Sequence, residues 1–255
     1  MRFTFVTRSV ITVMMVIIFG IGGPALADSF FKQVVHTDAY EVMGKKQAEK
    51  NDTTILWLAN GKACAQTANK TAVIFDAKKN IMYMLDLEKK EYSAISLNPA
   101  ASGGEGDPKD DNQAQMMRRA SAMMGAPKIT VAPSKETKKI GDWQTKMYTI
   151  DLTMAMVASK QQMWVTEDID TDIGAFHAVC GGMMAQMPGF GDFVEQLKQI
   201  KGVPVLTTTV ASVMGQDILT TVEMIEHAEK DAPDGIYDIP EGYKEVEMNM
   251  GMGGH

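Results

Sequence analysis

The residues able to do chemistry are few and scattered. There are four histidines, His36, His177, His227 and His255, and two cysteines, Cys64 and Cys180. None of the serines lies in a G-x-S-x-G turn, and no histidine stands beside a Ser or Cys motif. His177 precedes Cys180 by three residues, a spacing that shares one helix face and would let an imidazole lower the thiol pKa. A helix-face histidine beside a buried or bridged cysteine explains the pair with fewer demands. Glu167, Asp168, Asp170 and Asp172 supply oxygens of the kind Ca²⁺ prefers. They lack the EF-hand spacing, and acids at an expected helix start also serve the macrodipole. Met248, Met250, Met252 and His255 in the terminal MNMGMGGH offer soft ligands for Cu(I). No glycine-rich phosphate loop is present. This set predicts no catalytic residues, no resident cofactor and a non-enzymatic protein.

Export sets the redox context. Arg2 and Arg8 precede an apolar run from Val10 to Ile21, and Pro24-Ala25-Leu26-Ala27 ends in small residues. This is the layout of a signal peptide over residues 1–27. The run is too short to span a bilayer comfortably. Removing it leaves 228 residues and, with Arg2 and Arg8 gone, moves the net charge from −7 to −9. No second long apolar stretch and no basic block follow. The expectation is a soluble exported chain, periplasmic, without stable membrane insertion and without nucleic acid as a partner. In that compartment Cys64 and Cys180 are either a disulfide pair or two separate buried thiols.

The elements that must position these residues are mostly strands. Residues 71–95, TAVIFDAKKNIMYMLDLEKKEYSAI, read as strands 71–76, 81–87 and 91–95 separated by AKKN and EKK. Ile81, Tyr83 and Leu85 point one way, Met82 and Met84 the other. Both faces are apolar. This sheet must be covered on both sides, or covered on one while holding something on the other. Upstream, 30–43, 53–60 and 62–67 complete a six-stranded meander, with 44–52 as a polar connection and Asn60-Gly61 as a hairpin turn. A loop over 97–111 leads to an expected helix over 112–124. Strands follow at 128–151, turning at Gly141-Asp142, and at 161–166. Residues 171–187 and 190–200 read as helices, and 205–213 and 216–228 as strands. The fold class expected is α+β: a large curved antiparallel sheet, a half-open barrel, with about three helices on its concave face. Residues 28–248 form one domain, and 249–255 a flexible Met/Gly-rich tail.

Three segments carry a resemblance: VIFDAKKNIMYMLDLEKKEYSAI at 73–95, KKIGDWQTKMYTID at 138–151 with QMWVTEDI at 162–169, and GIYDIPEGYKEVEM at 235–248. Together they resemble an uncharacterised bacterial exported domain family, similar in fold to the lipoprotein-carrier (LolA-like) superfamily. The resemblance implies a half-open barrel closed by helices around an apolar cavity for acyl chains. The cavity candidates are Trp57, Tyr83, Met116, Met117, Met123, Phe176, Met183 and Met184. The function expected is binding of a hydrophobic ligand, a lipid or lipoprotein acyl chain. The alternatives are an envelope scaffold whose core is filled by its own side chains, and a Met-rich copper-binding or oxidant-buffering protein.

Overall fold

β-branched and aromatic residues in runs of six to fourteen, broken by polar turns, commit this chain to strands. The computed structural model describes residues 28–97, 127–169, 171 and 195–247, apart from positions 43, 60, 69, 155, 156 and 214. Its strands are β1 (Ser29–Thr37), β2 (Tyr40–Val42), β3 (Lys45–Gln47), β4 (Lys50–Ala59), β5 (Lys62–Thr67), β6 (Thr71–Asp76) and β7 (Ile81–Asp86). They continue with β8 (Glu91–Ser96), β9 (Lys128–Ile140), β10 (Trp143–Met154), β11 (Val157–Thr166), β12 (Val203–Val213), β13 (Gln216–Glu229) and β14 (Lys244–Glu245).

Twelve of them form one open sheet in the order β14-β8-β7-β6-β5-β4-β1-β13-β12-β11-β10-β9. Every pairing is antiparallel except the two-residue parallel contact of β14 with β8. The chain thus makes two meanders. The first runs from β1 through β4 to β8, the second from β9 to β13. The long-range pairing of β1 with β13 joins them. The expected six-stranded meander is there, with one change. The strand read over 30–43 ends at Thr37, and its Tyr40–Val42 end pairs with Lys45–Gln47 from the polar connection as a separate two-stranded sheet, while the rest of that connection enters β4.

The α+β expectation is overturned. The only helical turn among the described residues is Glu195–Leu197. Of the expected 190–200 helix, the described residues hold the helical stretch Glu195–Leu197. Its end tightens through i→i+3 bonds from Gln199 N to Gln196 O (3.1 Å) and Ile200 N to Leu197 O (3.0 Å), and Gly202 then turns the chain into β12. The expected helices over 112–124 and 171–187 lie outside the described residues, apart from Thr171. The outer face of the first meander is covered by the chain that follows β13.

Register assigns every strand residue to one of two faces. On the outer face Phe30, Trp57, Cys64, Ala72, Ile74 and Leu85 form a cluster with half-buried Ile55, Tyr83 and Tyr92. After β13 the chain doubles back across this cluster, and Ala232, Ile236, Tyr237 and Tyr243 pack onto it. Asp28 anchors the return: its carboxylate accepts from Ala232 N (2.9 Å) and its carbonyl from Lys230 N (3.0 Å). The Lys230 ammonium sits 3.4 Å above the Phe30 ring, which meets Trp57 edge-on at 4.8 Å. At the far end Lys244 N and Val246 N donate to Lys90 O and Tyr92 O at the β8 edge.

The turns between β6, β7 and β8 show how local chemistry sets this geometry. Asn80 and Lys90 take left-handed φ of 52° and 55°. Asp76, at the end of β6, accepts from Lys79 N (3.0 Å) and pairs with its ammonium (3.4 Å). Burial pushes the Asp76 carboxyl up, but the Lys79 bonds and charge outweigh it and hold the pKa below the ordinary carboxylate value. A depressed folded pKa contributes stability above the unfolded value, near 4, that is lost as pH falls through the folded one. Asp76→Asn is therefore expected to cost about 1 kcal/mol at pH 7 and to narrow its gap to wild type on acidification below about pH 4. Urea unfolding across pH 2.5–7 checks this; parallel stability curves would refute it.

Candidate ligand-binding face

The inner face is built from the residues that alternate with the outer cluster. On the first meander it carries Phe31, Leu56, Leu58, Ala63, Ala65, Val73, Phe75 and Met82, with half-buried Met84 and Ile95. Val203, Val205, Val222 and Met224 continue it across β12 and β13. Val131, Tyr148, Ile150, Met163 and Val165 extend it over β9–β11, with Ile129, Leu152 and Met154 beside them. Leu197 and Ile200, at and just after the helical turn, pack on that end. Just before them Gln196 reaches the β9 edge. Its carbonyl accepts from Val131 N (2.9 Å) and its amide donates to Ile129 O (3.1 Å), occupying open main-chain groups of an edge strand.

Two polar rows cross this apolar surface, each following the strand register. The first is Gln33, Thr54, Thr67, Thr71, Asp86 and Glu91, opposed in turn across β1, β4, β5, β6, β7 and β8. The second is Thr37, Thr220, Thr209 and Gln161 across β1, β13, β12 and β11. Hydroxyls within the rows touch: Thr67 and Thr71 Oγ1 are 2.7 Å apart, Thr37 and Thr220 Oγ1 3.3 Å. Each row includes a glutamine whose buried Oε1 has no hydrogen-bond partner among the described residues. Gln33 is only 2% exposed. It stands where the β1–β13 register slips, a bulge that also turns Ile225 out to 49% exposure. A buried, unpaired carbonyl costs about 1–3 kcal/mol, so two of them on one face are a feature to explain.

At the Ser29 end of this face lies a hydrogen-bonded chain that sequence order conceals. Thr171 Oγ1 donates to Ser29 Oγ (2.6 Å), and Ser29 Oγ donates to Glu229 Oε1 (2.9 Å). His227 Nε2 is 3.0 Å from the same carboxylate oxygen, and its ring lies 4.8 Å from that of Phe31. In a nucleophilic triad the imidazole stands between hydroxyl and carboxylate. Here the carboxylate stands between, with no imidazole on the hydroxyl. The arrangement ties the Ile169–Thr171 segment to β1 and β13 and does not activate Ser29. Among the described residues no group of three or more His, Cys, Asp or Glu is placed to hold a metal ion.

The residues singled out from sequence fall apart in space. Trp57 and Tyr83 lie on the outer face beneath the returning chain, not on the inner face. Cys64 is a free thiol, fully buried beside them, and burial pushes its pKa up to about 12. Met116, Met117, Met123, Phe176, Met183, Met184, Cys180, Met248, Met250, Met252 and His255 lie outside the described residues. In the acidic cluster Glu167 pairs with Lys146 (2.8 Å) and Asp168 accepts from Gln144 N (3.1 Å), while positions 170 and 172 lie outside the described residues. The two polar rows escaped motif reading. Counting register outward from the tight turns would have aligned Thr54, Thr67 and Thr71, but Gln33 joins them only once β1 is paired with β4. Among the described residues no helix is long and apolar enough to cross a membrane. No protein-family model matches the chain, and no curated protein matches it.

Proposed function

We propose that this protein is an exported, non-enzymatic carrier that binds a hydrophobic ligand, an acyl chain of a lipid or lipoprotein, against the inner face of its sheet. The observation that carries this reading is the continuity of that face. Apolar side chains run from Met82 and Met84 on β7 across to Val131 on β9, over both meanders. The opposite face of the first meander has its cover in the returning chain. The resemblance of segments 73–95, 138–151 with 162–169, and 235–248 to an exported family similar in fold to the lipoprotein carriers supports the same reading. Native mass spectrometry of protein purified without detergent is expected to show a co-purified lipid, or uptake of a fluorescent fatty-acid analogue after delipidation. Reproducible failure of both would refute it. The competing reading is a scaffold with a filled core, favoured by the near-complete burial of Phe31, Leu56, Val203 and Val205. It predicts no uptake in the same measurement.

A further inference from the structure

Resting on that acyl-binding reading, we propose that the ligand is a neutral amphiphile whose hydroxyl or amide N–H, next to its apolar chain, donates to the buried carbonyl of Gln33. The placement of the polar row supports this. Phe31, Leu56, Ala65, Val73 and Met84 form the apolar row directly beside Gln33, Thr54, Thr67, Thr71 and Asp86, one alternation along each strand. A chain lying on the first row brings a group near its polar end onto the second. Gln33 Oε1 is buried and has no partner among the described residues, and an acceptor in that state selects a donor.

The row gives an anion no cation to pair with, and its carboxylates stand four and five strands away from Gln33. Its six residues include two carboxylates, Asp86 and Glu91, and no cation. The Asp86 carboxylate accepts from Glu88 N and Lys89 N in the turn (3.1 and 2.9 Å) and pairs with the Lys89 ammonium at 2.6 Å. That engages the nearby cation. A fatty-acid carboxylate or a phosphate at Gln33 would meet its carbonyl oxygen, acceptor facing acceptor. A glycerol hydroxyl or an acylated amine meets its complement. Gln161, on the second row, offers the same unpaired carbonyl to a ligand long enough to reach the second meander.

Displacement of a fluorescent acyl probe from the delipidated full-length protein tests this with three ligands of one chain: 1-monooleoylglycerol, methyl oleate and oleate. The monoglyceride is expected to bind about tenfold tighter than methyl oleate, which has no donor, and oleate is expected to bind weakest. Gln33→Met, which keeps volume and removes the acceptor, is expected to abolish the monoglyceride preference and leave methyl oleate unchanged. The wild-type series decides the matter without relying on the variant. Equal binding of all three, or tightest binding of oleate, overturns the donor-recognition proposal while leaving acyl binding standing. Failure of all three to displace the probe, or of the probe to bind, removes both.

Discussion

Gly202→Ala is expected to destabilise the protein by about 3 kcal/mol or more, among the largest effects of any single methyl in the chain. Gly202 has φ of +102° just before β12. A Cβ there would lie 2.0 Å from Thr166 O, 2.7 Å from Thr166 C and 3.1 Å from Glu167 N. All three are backbone atoms and cannot swing aside. Thr166 is paired with Val203 in the β11–β12 ladder, so relief must break that register. Val203 and Val205, which follow, belong to the inner apolar face. The strain thus feeds directly into the surface proposed to hold the ligand. Gly235→Ala is the control. Its φ of +75° also disfavours a side chain, but nothing lies within 4 Å of the added carbon. It should cost about 1 kcal/mol. Urea midpoints at constant m-value measure both. A Gly202→Ala cost no greater than that of Gly235→Ala would show that the β11–β12 junction can yield.

Ending the chain after Ala232 is expected to open the outer face and make Cys64 reactive. Ile236, Tyr237 and Tyr243 would leave the Phe30–Trp57–Cys64 cluster, together with the hydrogen bonds at Lys90 and Tyr92 on the β8 edge. Three half-buried side chains and these edge bonds stabilise by roughly 4 kcal/mol. The Lys62–Asp238 ion pair, 3.5 Å apart and largely exposed, adds little. In the intact chain Cys64 is fully buried with its pKa pushed up to about 12, which keeps it a thiol and unreactive at neutral pH. Alkylation located at Cys64 by peptide mapping should therefore accelerate by at least about tenfold on truncation, the opening freed from the cost above. Tyr237→Ala is the milder form. Burial raises the pKa of its phenol, and its hydroxyl has no partner among the described residues, so the ring's packing carries its contribution. Unchanged Cys64 labelling in the truncated chain would show that the tail is not the cover.

These two results probe what is least local in the molecule. The strands at 71–76, 81–86 and 91–96 match the sequence reading to within a residue, because each is set by a tight turn. The Met82/Met84 and Tyr83/Leu85 alternation was equally legible, since side-chain direction along a strand follows from the pleat. The β2–β3 hairpin was missed because β2 read as the end of the 30–43 strand and β3 is a polar three-residue run. The three-helix expectation came from apolar periodicity; the segments 112–124 and 171–187 lie outside the described residues apart from Thr171, and in 190–200 only Glu195–Leu197 is helical among the described residues.

By itself the sequence determined the strand-rich character, the first meander, the tight turns that space its strands and the presence of two apolar sheet faces. All of these follow from φ preferences and the two-residue alternation, which act over a few neighbours. Only the tertiary structure decided which face is which. Ser29 meets Glu229 two hundred residues away, and β1 pairs with β13 to merge the meanders. The pairing of β1 with β4 sets Gln33 beside Thr54, and the chain that follows β13 folds back over Trp57 and Tyr83. The residues that looked like a binding site thus lie beneath the protein's own tail. The unpaired carbonyl of Gln33, unmarked by any motif, stands on the opposite face, because burial and pairing depend on chain segments that no local pattern brings together.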